Sequence, residues 1–309
     1  MTPAHPLKTL AFNAIGERVR AITGSQGTLD DFAVPAGDPG LLGPQSMAWR
    51  VHAHFTAMMV GGLSSLIVQS LHPRALAAVW DHSDFRHQLK QRLGRTAYFV
   101  AATTYGSRAM ALKAIGRVNA IHAHIRGTDL QGRPYVANEP ELVRWVHLVE
   151  VASFLTAYQR LARRPLSRPQ CDQYIAEMRQ IGLLLGADDL PVTWADTLGQ
   201  MQDFAPQLSF DARAQEIVQI IQAYPTDLQD KPWMALVQQC AFDLMPPWVL
   251  ALMGRSPACA LQQQATRLAV QLSSAPVQWM LDAQGVAAIA RQRVQGASGH
   301  APTAGPVSA

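Results

Sequence analysis

The feature that most limits the fold is an uncharged apolar stretch, Phe55–Leu71, which ends at His72-Pro73. Its 17 residues are at the short end of what can span a bilayer, and they include three serines and a glutamine. Length and polarity therefore favour a helix buried in a protein core over a membrane span. We expect this helix to begin near Met47 and to stop before Pro73, because a residue that precedes proline disfavours helical geometry.

The rest of the chain repeats the helical pattern. No segment alternates apolar and polar residues over the length of a strand, with a hairpin turn beside it. Besides the helix at 47–71, helices are predicted over residues 79–82, 85–104, 107–126, 138–163, 167–185, 211–223 and 232–252. The sequence therefore predicts an all-α fold, with a single large helical domain that encloses an apolar pocket.

Helix ends are marked by capping residues at several places. Asn138 with Glu141 three residues later, and Ser167 with Gln170, both match the capping-box pattern. Gly127 is expected to end the helix that begins near residue 107.

Composition supports one large helical domain, with an irregular segment before it and a disordered tail after it. Hydrophobic residues make up 49% of the chain and charged residues 16%, against roughly 25% charged in an average domain. A chain this apolar can build a large core and an internal cavity. We expect an N-terminal helix and irregular segment over residues 1–45, the helical domain over 46–290, and a disordered tail over 291–309.

Charge and cysteine content exclude several classes of protein. The net charge of +4 is spread along the chain with no basic run, so nucleic-acid binding is not expected. Cys171, Cys240 and Cys259 form no C-x-x-C or C-x-x-C-H motif, which argues against a disulfide framework and covalent haem. Charged residues interrupt Met1–Ile22, which therefore does not read as a signal peptide. Reduced cysteines favour a cytoplasmic location.

The common catalytic motifs are missing, which leaves isolated polar residues on apolar helices. There is no H-E-x-x-H, no repeated Glu-x-x-His, no Gly-rich phosphate loop and no G-x-S-x-G. Arg92 and Thr96 are four residues apart, as are His122 and Arg126, so each pair would share a helix face. His147 lies on a later helix. Taken singly, each of these residues is more often structural or surface-exposed.

A series of short motifs in a fixed order changes that interpretation. The series is Gly61-Gly62-Leu63, Gln69-Ser70-Leu71-His72-Pro73, His82-Ser83-Asp84-Phe85, Arg92-Leu93-Gly94-Arg95-Thr96, Arg117-Val118, His122, Arg126-Gly127, Gly132-Arg133-Pro134-Tyr135, Glu139-Pro140-Glu141-Leu142 and Trp145-Val146-His147. Over roughly residues 45–260 the chain resembles the oxygenase family that includes the fungal enzyme MpaB and the bacterial latex-clearing rubber oxygenase.

The resemblance implies an all-α fold that holds a non-covalent haem b, with His122 as the ligand of the iron. It places Arg92 and Thr96 in the haem pocket, where an arginine can pair with a propionate and a hydroxyl can donate to an iron-bound oxygen. Arg126 is a further candidate for cofactor binding. His147 is a candidate catalytic residue beside the iron, although a packed, hydrogen-bonded role is equally open.

Two departures from the family pattern bear on the reaction. Arg95 stands where the rubber oxygenase has a lysine that can bind the iron, and a guanidinium cannot do so. The nearest candidates for an upstream carboxylate base are Asp81 and Asp84. Cleavage of polyisoprene is therefore not expected. For His72 a capping role rivals a functional one, and His124 points to a different side of its helix from His122.

The expected function is oxidation or oxidative cleavage of a small apolar, prenyl-like substrate with dioxygen, with a possible electron donor as partner. Two alternatives stay open. One is a non-catalytic carrier or sensor of haem or an apolar ligand on the same fold. The other is a helical interaction protein without a cofactor.

Overall fold

The computed structural model describes residues 28–224 and 227–296. The helix expected within residues 1–45 and most of the expected tail lie outside the described residues. In the described part, the helices are α1 Met47–His52, α2 Phe55–Gln69, α3 Pro73–His82, α4 Phe85–Tyr105, α5 Arg108–His122, α6 Pro140–Leu161, α7 Arg168–Leu184, α8 Trp194–Asp203, α9 Ala212–Ala223, α10 Lys231–Asp243, α11 Pro247–Leu252, α12 Ala260–Gln284 and α13 Val286–Gln295. The predicted all-α fold is confirmed.

Helices α2 and α6 form the centre of the molecule. A Cβ atom on Gly61 would lie 2.9 Å from the carbonyl oxygen of Ser153 and 3.0 Å from Cα of Phe154, so this close approach requires glycine. Trp145 of α6 is fully buried, and its indole N–H donates to the carbonyl oxygen of Gln69 over 3.2 Å. Helices α10 and α12 cover α2, and α7 and α8 cover α6.

The apolar stretch Phe55–Leu71 is buried, as predicted, but the long helix expected from Met47 is broken into α1 and α2. The break falls at His54, whose imidazole accepts a hydrogen bond from the backbone N–H of Ala57 and so begins a new helix. Among the described residues, no single helix is long and apolar enough to cross a membrane. Helices α2 and α3 pass that test only together, by length and composition, as a pair bent by 103°.

The helix predicted over residues 107–126 ends early, at His122, and a short hairpin follows. Strand β1, Arg126–Thr128, pairs antiparallel with β2, Pro134–Val136. Gly127 therefore lies in a strand instead of capping a helix. A Cβ atom there would lie 2.6 Å from the hydroxyl of Tyr135, which itself donates to Asp81.

Other predicted helix ends are partly right. The capping box of Ser167 and Gln170 begins α7 as expected. The cap at Asn138 is wrong, because Glu139 is the capping residue of α6. The helix predicted over 232–252 is two helices, α10 and α11, separated at Pro246-Pro247. The boundary expected at residue 290 lies within α13, so residues 291–295 are helical.

Helices α4 and α5 form an outer pair, and α5 packs mainly against α4. Polar contacts fix the ends of α5. The carboxylate of Asp38 accepts from the N–H of Arg108 over 3.1 and 3.2 Å, and the amide of Asn119 donates to the carbonyl oxygen of Leu184 over 2.9 Å. The buried guanidinium of Arg293 donates to the carbonyl oxygens of Phe32, Asp38 and Gly106, and so ties α13 to the α4–α5 corner.

Candidate functional site

Arg92 of α4 borders an apolar cavity of about 60 Å³ between α2, α3, α4, α6 and α9. Most of its wall is aliphatic and aromatic, including Leu66, Leu76, Phe85, Leu89, Val146 and Ile217. The guanidinium donates to the hydroxyl of Ser83 over 3.4 Å. Burial, together with the charge of Arg95, lowers the pKa of Arg92 to about 10, so the side chain is still a cation at neutral pH.

His122, the last residue of α5, is brought close to Arg92 by the packing of α5 on α4. Its side chain is half-buried. Burial lowers the pKa of His122, and the positive charge of Arg92 lowers it further. The imidazole is therefore neutral at pH 7 and has a nitrogen lone pair that a metal could accept.

Thr96 and Arg126 are placed differently from these two residues. Thr96 lies one turn after Arg92 on α4, as predicted, and its side chain is exposed. Arg126 lies on β1 and is exposed, while its carbonyl oxygen is 3.2 Å from Nε2 of His82. The helix face that His122 and Arg126 were expected to share is absent, because α5 ends at His122.

His147 is buried between α6 and α7. A Cβ atom on Gly182 of α7 would lie 2.9 Å from the Cδ2 atom of its ring, so the ring packs directly on the glycine. Burial lowers the pKa of His147 to about 4, which keeps the ring neutral. In the described part of the chain, no hydrogen bond or ring contact joins His147 to Arg92 or His122.

Glu150 is a titratable residue that sequence reasoning missed. It lies one turn after Val146, which lines the cavity, on the same side of α6. Burial raises the pKa of Glu150 to about 7, so the carboxyl group can gain or lose a proton near neutral pH. A single carboxylate in the apolar run from Trp145 to Leu155 was the available signal.

A buried polar chain was also missed. His52 of α1 lies between the hydroxyl of Thr104 on α4, 2.7 Å from Nδ1, and that of Tyr174 on α7, 3.1 Å from Nε2. Burial lowers the pKa of His52 to about 3. Since the partners are 52 and 122 residues away in sequence, no local pattern could have shown this chain, which fixes α4 against the core.

The carboxylates considered as bases are engaged elsewhere. Asp81 accepts from the hydroxyl of Tyr135 and is 3.5 Å from the guanidinium of Arg213. Asp84 is exposed and forms a hydrogen bond with His87 over 2.7 Å. Neither residue lines the cavity at Arg92.

Two further histidines lie at a helix start and on the surface, respectively. The ring of His72 caps α3 by accepting from the N–H of Ala75 over 3.4 Å, as the capping interpretation predicted. His124 lies beyond the end of α5 and is exposed. Within residues 28–224 and 227–296, no group of three or more His, Cys, Asp and Glu side chains could hold a metal ion by itself.

A helical fold with an apolar cavity, a half-buried cation and a neutral histidine defines a protein suited to hold a small molecule or cofactor among its helices. Comparison with known families agrees: residues 49–275 match the family described as ER-bound oxygenase mpaB/B'/Rubber oxygenase, catalytic domain. The chain belongs to this family, which confirms the resemblance and supports oxygenase-like, and hence oxidoreductase, activity. No curated protein and no solved structure matches the chain.

Proposed function

We propose that this protein is a haem b-dependent oxygenase that oxidises or cleaves a small apolar substrate with dioxygen, and that His122 binds the iron. The observation that carries the proposal is the neutral His122 beside the cationic Arg92, next to an apolar cavity, in a chain of an oxygenase family.

The side chains present fit a haem. A porphyrin supplies four nitrogen ligands, so the iron needs only one ligand from the protein, and His122 is such a donor. Among the described residues, Arg92 has one long hydrogen bond, to the neutral hydroxyl of Ser83, so its charge is available for a propionate. Thr96, one turn away on α4, can donate from its hydroxyl, and Arg126 is a second candidate for an anionic group of the cofactor.

The cavity at Arg92 is too small in this structure for the cofactor and for an ordinary substrate alike. At about 60 Å³ it is far below the roughly 300–1,000 Å³ of ordinary ligand pockets, and a porphyrin is too large for it. The proposal therefore requires α5 to shift when haem binds. Helix α5 is the element able to do so, because it packs mainly on α4 and is held at its ends by a few polar contacts.

The bound haem would supply the iron that reacts with dioxygen, and the chain would supply the surroundings. Aliphatic side chains around the cavity exclude water and favour an apolar substrate. Glu150, whose pKa burial raises to about 7, can move a proton at its carboxylate; like Asp81 and Asp84 it does not line the cavity, but it lies one turn from Val146, which does, and is a further candidate base. His147 stays a candidate catalytic residue on the same helix. We also propose a separate electron donor as partner, and a cytoplasmic location, which the free cysteines support.

A non-catalytic carrier or sensor of haem or an apolar ligand is the second candidate. It is favoured by Arg95, which is exposed and cannot bind iron, and by the engagement of Asp81 and Asp84 in contacts away from the cavity. This alternative predicts haem binding without consumption of dioxygen when a reductant and apolar substrates are supplied.

An absorption spectrum of the protein produced with iron and a haem precursor tests the proposal. We expect a Soret band that His122→Ala abolishes or shifts. His124→Ala is the matched control, since this exposed histidine lies two residues away, and it should keep the band unchanged. A colourless wild-type protein, or equal spectra for the two variants, would contradict the assignment of His122. Oxygen uptake then separates the enzyme from the carrier.

A further inference from the structure

A second cavity, of about 210 Å³, lies between the end of α6, the end of α10 and the start of α12. Its polar lining residues are Arg160, Cys240, Asp243, Gln263, Gln264 and Arg267. Arg160 lies fourteen residues after Val146, the α6 residue that lines the cavity at Arg92, or about 21 Å along the helix at 1.5 Å per residue. The cavity is thus separate from the one at Arg92.

Asp243, a half-buried residue that lines this cavity, has an oxygen atom without a hydrogen-bond partner among the described residues. Its Oδ1 atom accepts from the amide of Gln239 over 2.9 Å, whereas Oδ2 is buried and has no hydrogen-bond partner among the described residues. Burial raises the pKa of Asp243, although the charge of Arg160 acts in the opposite direction. A buried acceptor left unpaired is costly. Because Oδ2 is closed off from solvent, a ligand donor reaches it only when the carboxylate of Asp243 turns toward the cavity that this residue lines.

Two arginines stand at the rim. Arg160 donates to the side-chain oxygen of Gln263 over 3.2 Å, a neutral partner, and Arg267 is exposed. Arg160 is near enough to act on the charge of Asp243, yet in the described part of the chain the two form no ion pair. Charges of both signs therefore line the same cavity.

The thiol of Cys240, which lines the same cavity, lies within reach of all three charges. Burial and the charge of Asp243 raise its pKa to about 12, while Arg160 and Arg267 act to lower it. The thiol therefore stays protonated and serves as a neutral part of the wall, since only a thiolate is a good nucleophile.

We propose that this cavity binds a small carboxylate that also carries an amino or hydroxyl group, such as an amino acid or a hydroxy acid. The ligand carboxylate lies between Arg160 and Arg267, where guanidinium groups can bind it by charge-assisted hydrogen bonds. Its amino or hydroxyl group donates to the carboxylate of Asp243, which turns toward the cavity to accept. The volume is below that of pockets for drug-sized ligands and suits a molecule of about ten non-hydrogen atoms.

The presence of both signs of charge narrows the class of ligand. A simple anion such as phosphate would be repelled by Asp243, and a metal cation by the two arginines. A ligand with an anionic end and a donor end satisfies both sides. This inference does not depend on haem binding, because none of the lining residues belongs to α4 or α5.

Calorimetric titration of the full-length protein with L-threonine, L-glutamate and L-malate tests the proposal. We expect at least one of these probes to bind. For the probe that binds, Asp243→Asn and Arg267→Gln should each raise the Kd at least about tenfold, the size of one charge-assisted contact. Butyrate, which lacks the donor group, and threonine methyl ester, which lacks the carboxylate, should bind at least about tenfold more weakly than threonine.

Arg255→Gln is the matched control, because Arg255 packs over the ring of Phe242 and does not line the cavity. It should leave the Kd unchanged, and thermal unfolding should show that all three variants are folded. Failure of every probe to bind wild-type protein up to about 10 mM, the weak end of measurable affinity, would overturn the proposal. So would unchanged binding in Asp243→Asn and Arg267→Gln, or binding of butyrate as tight as that of threonine.

Discussion

The central pair α2–α6 and the outer pair α4–α5 are both pairs of neighbouring helices, but they differ in how much of each helix is buried. Fourteen of the 22 residues of α6 are buried, against two of the 15 residues of α5. On α5, Leu112 is 40% exposed and Ile121 is 50% exposed. Helix α6 is enclosed by α2, α7 and α8, whereas α5 packs mainly on α4.

This difference in burial suggests that the central pair contributes most of the stability, whereas the outer pair carries the binding residues. Buried apolar area is the main stabilising contribution to a fold, so most of it comes from the central pair. Elements with few buried contacts open and move at the lowest cost in free energy, and binding elements are commonly drawn from them. Arg92 and His122, the centre of the proposed site, both lie on the outer pair.

The largest effect is expected from Trp145→Ala. Removing a fully buried indole should lower the free energy of unfolding by about 3–5 kcal/mol, because both apolar transfer and packing are lost. Leu112→Ala on α5 is the control and should change it by no more than about 0.5 kcal/mol. Denaturant titration measures both values. Equal losses would mean that the two pairs do not differ in stability.

The next effect is a loss of stability in acid that depends on buried histidines. Burial lowers the pKa of His52 to about 3, whereas an unfolded histidine titrates near 6.5. The unfolded state therefore binds more protons below pH 6.5, and stability falls as the pH drops from there toward the folded value. Each unit of pH costs up to about 1.4 kcal/mol, or roughly 2 kcal/mol between pH 7 and 5.

The contribution of His52 is measured as the difference in unfolding free energy between wild type and His52→Gln at each pH. Glu150 acts in the opposite sense: its pKa is raised to about 7, so the stability it contributes is lost as the pH rises through that value. The variant should show a shallower loss of unfolding free energy from pH 7 to 5. If its pH dependence matches that of wild type, His52 is not buried in its neutral form.

A smaller effect is expected from Gly61→Ala, with Gly62→Ala as its neighbour control. At Gly61 the added Cβ atom meets backbone at 2.9 Å, so α2 and α6 must separate, at a cost of roughly 1–3 kcal/mol. Better helix propensity offsets up to about 1 kcal/mol of this cost. At Gly62 the nearest atom is 3.8 Å away, so only the gain remains. The midpoint of thermal unfolding should therefore fall in Gly61→Ala and rise in Gly62→Ala. A shift in the same direction for both variants would contradict the close packing of α2 on α6.

Local signals predicted much of the fold. The helix expected over residues 85–104 and the start of α7 at Ser167 were right, because capping residues and apolar spacing act within a few residues. The hairpin was missed, because its strands are three residues long and the need for glycine at position 127 comes from Tyr135 on the facing strand. The cap at Asn138 was wrong because Glu139 accepts from Val136 and forms an ion pair with Arg74 instead.

The site was less predictable than the fold. His122 and Arg92 were predicted from the ordered motifs of a family. The structure adds that His122 lies close enough to Arg92 for the charge of Arg92 to lower its pKa. The properties of Glu150 depend on how α6 is buried, which no spacing shows. Arg126 was assigned to a helix face that does not exist, since the chain turns into β1 after His122.

The hydrogen bonds of the Arg293 guanidinium have a consequence for the order in which the chain can fold during synthesis. Its guanidinium binds the carbonyl oxygen of Gly106, a residue that leaves the ribosome 187 positions earlier. Segments made first can pack locally while they wait, but contacts across such a span form only after both partners are available. The central helices can therefore assemble on the nascent chain, and the corner that joins α4 to α5 is closed among the last steps.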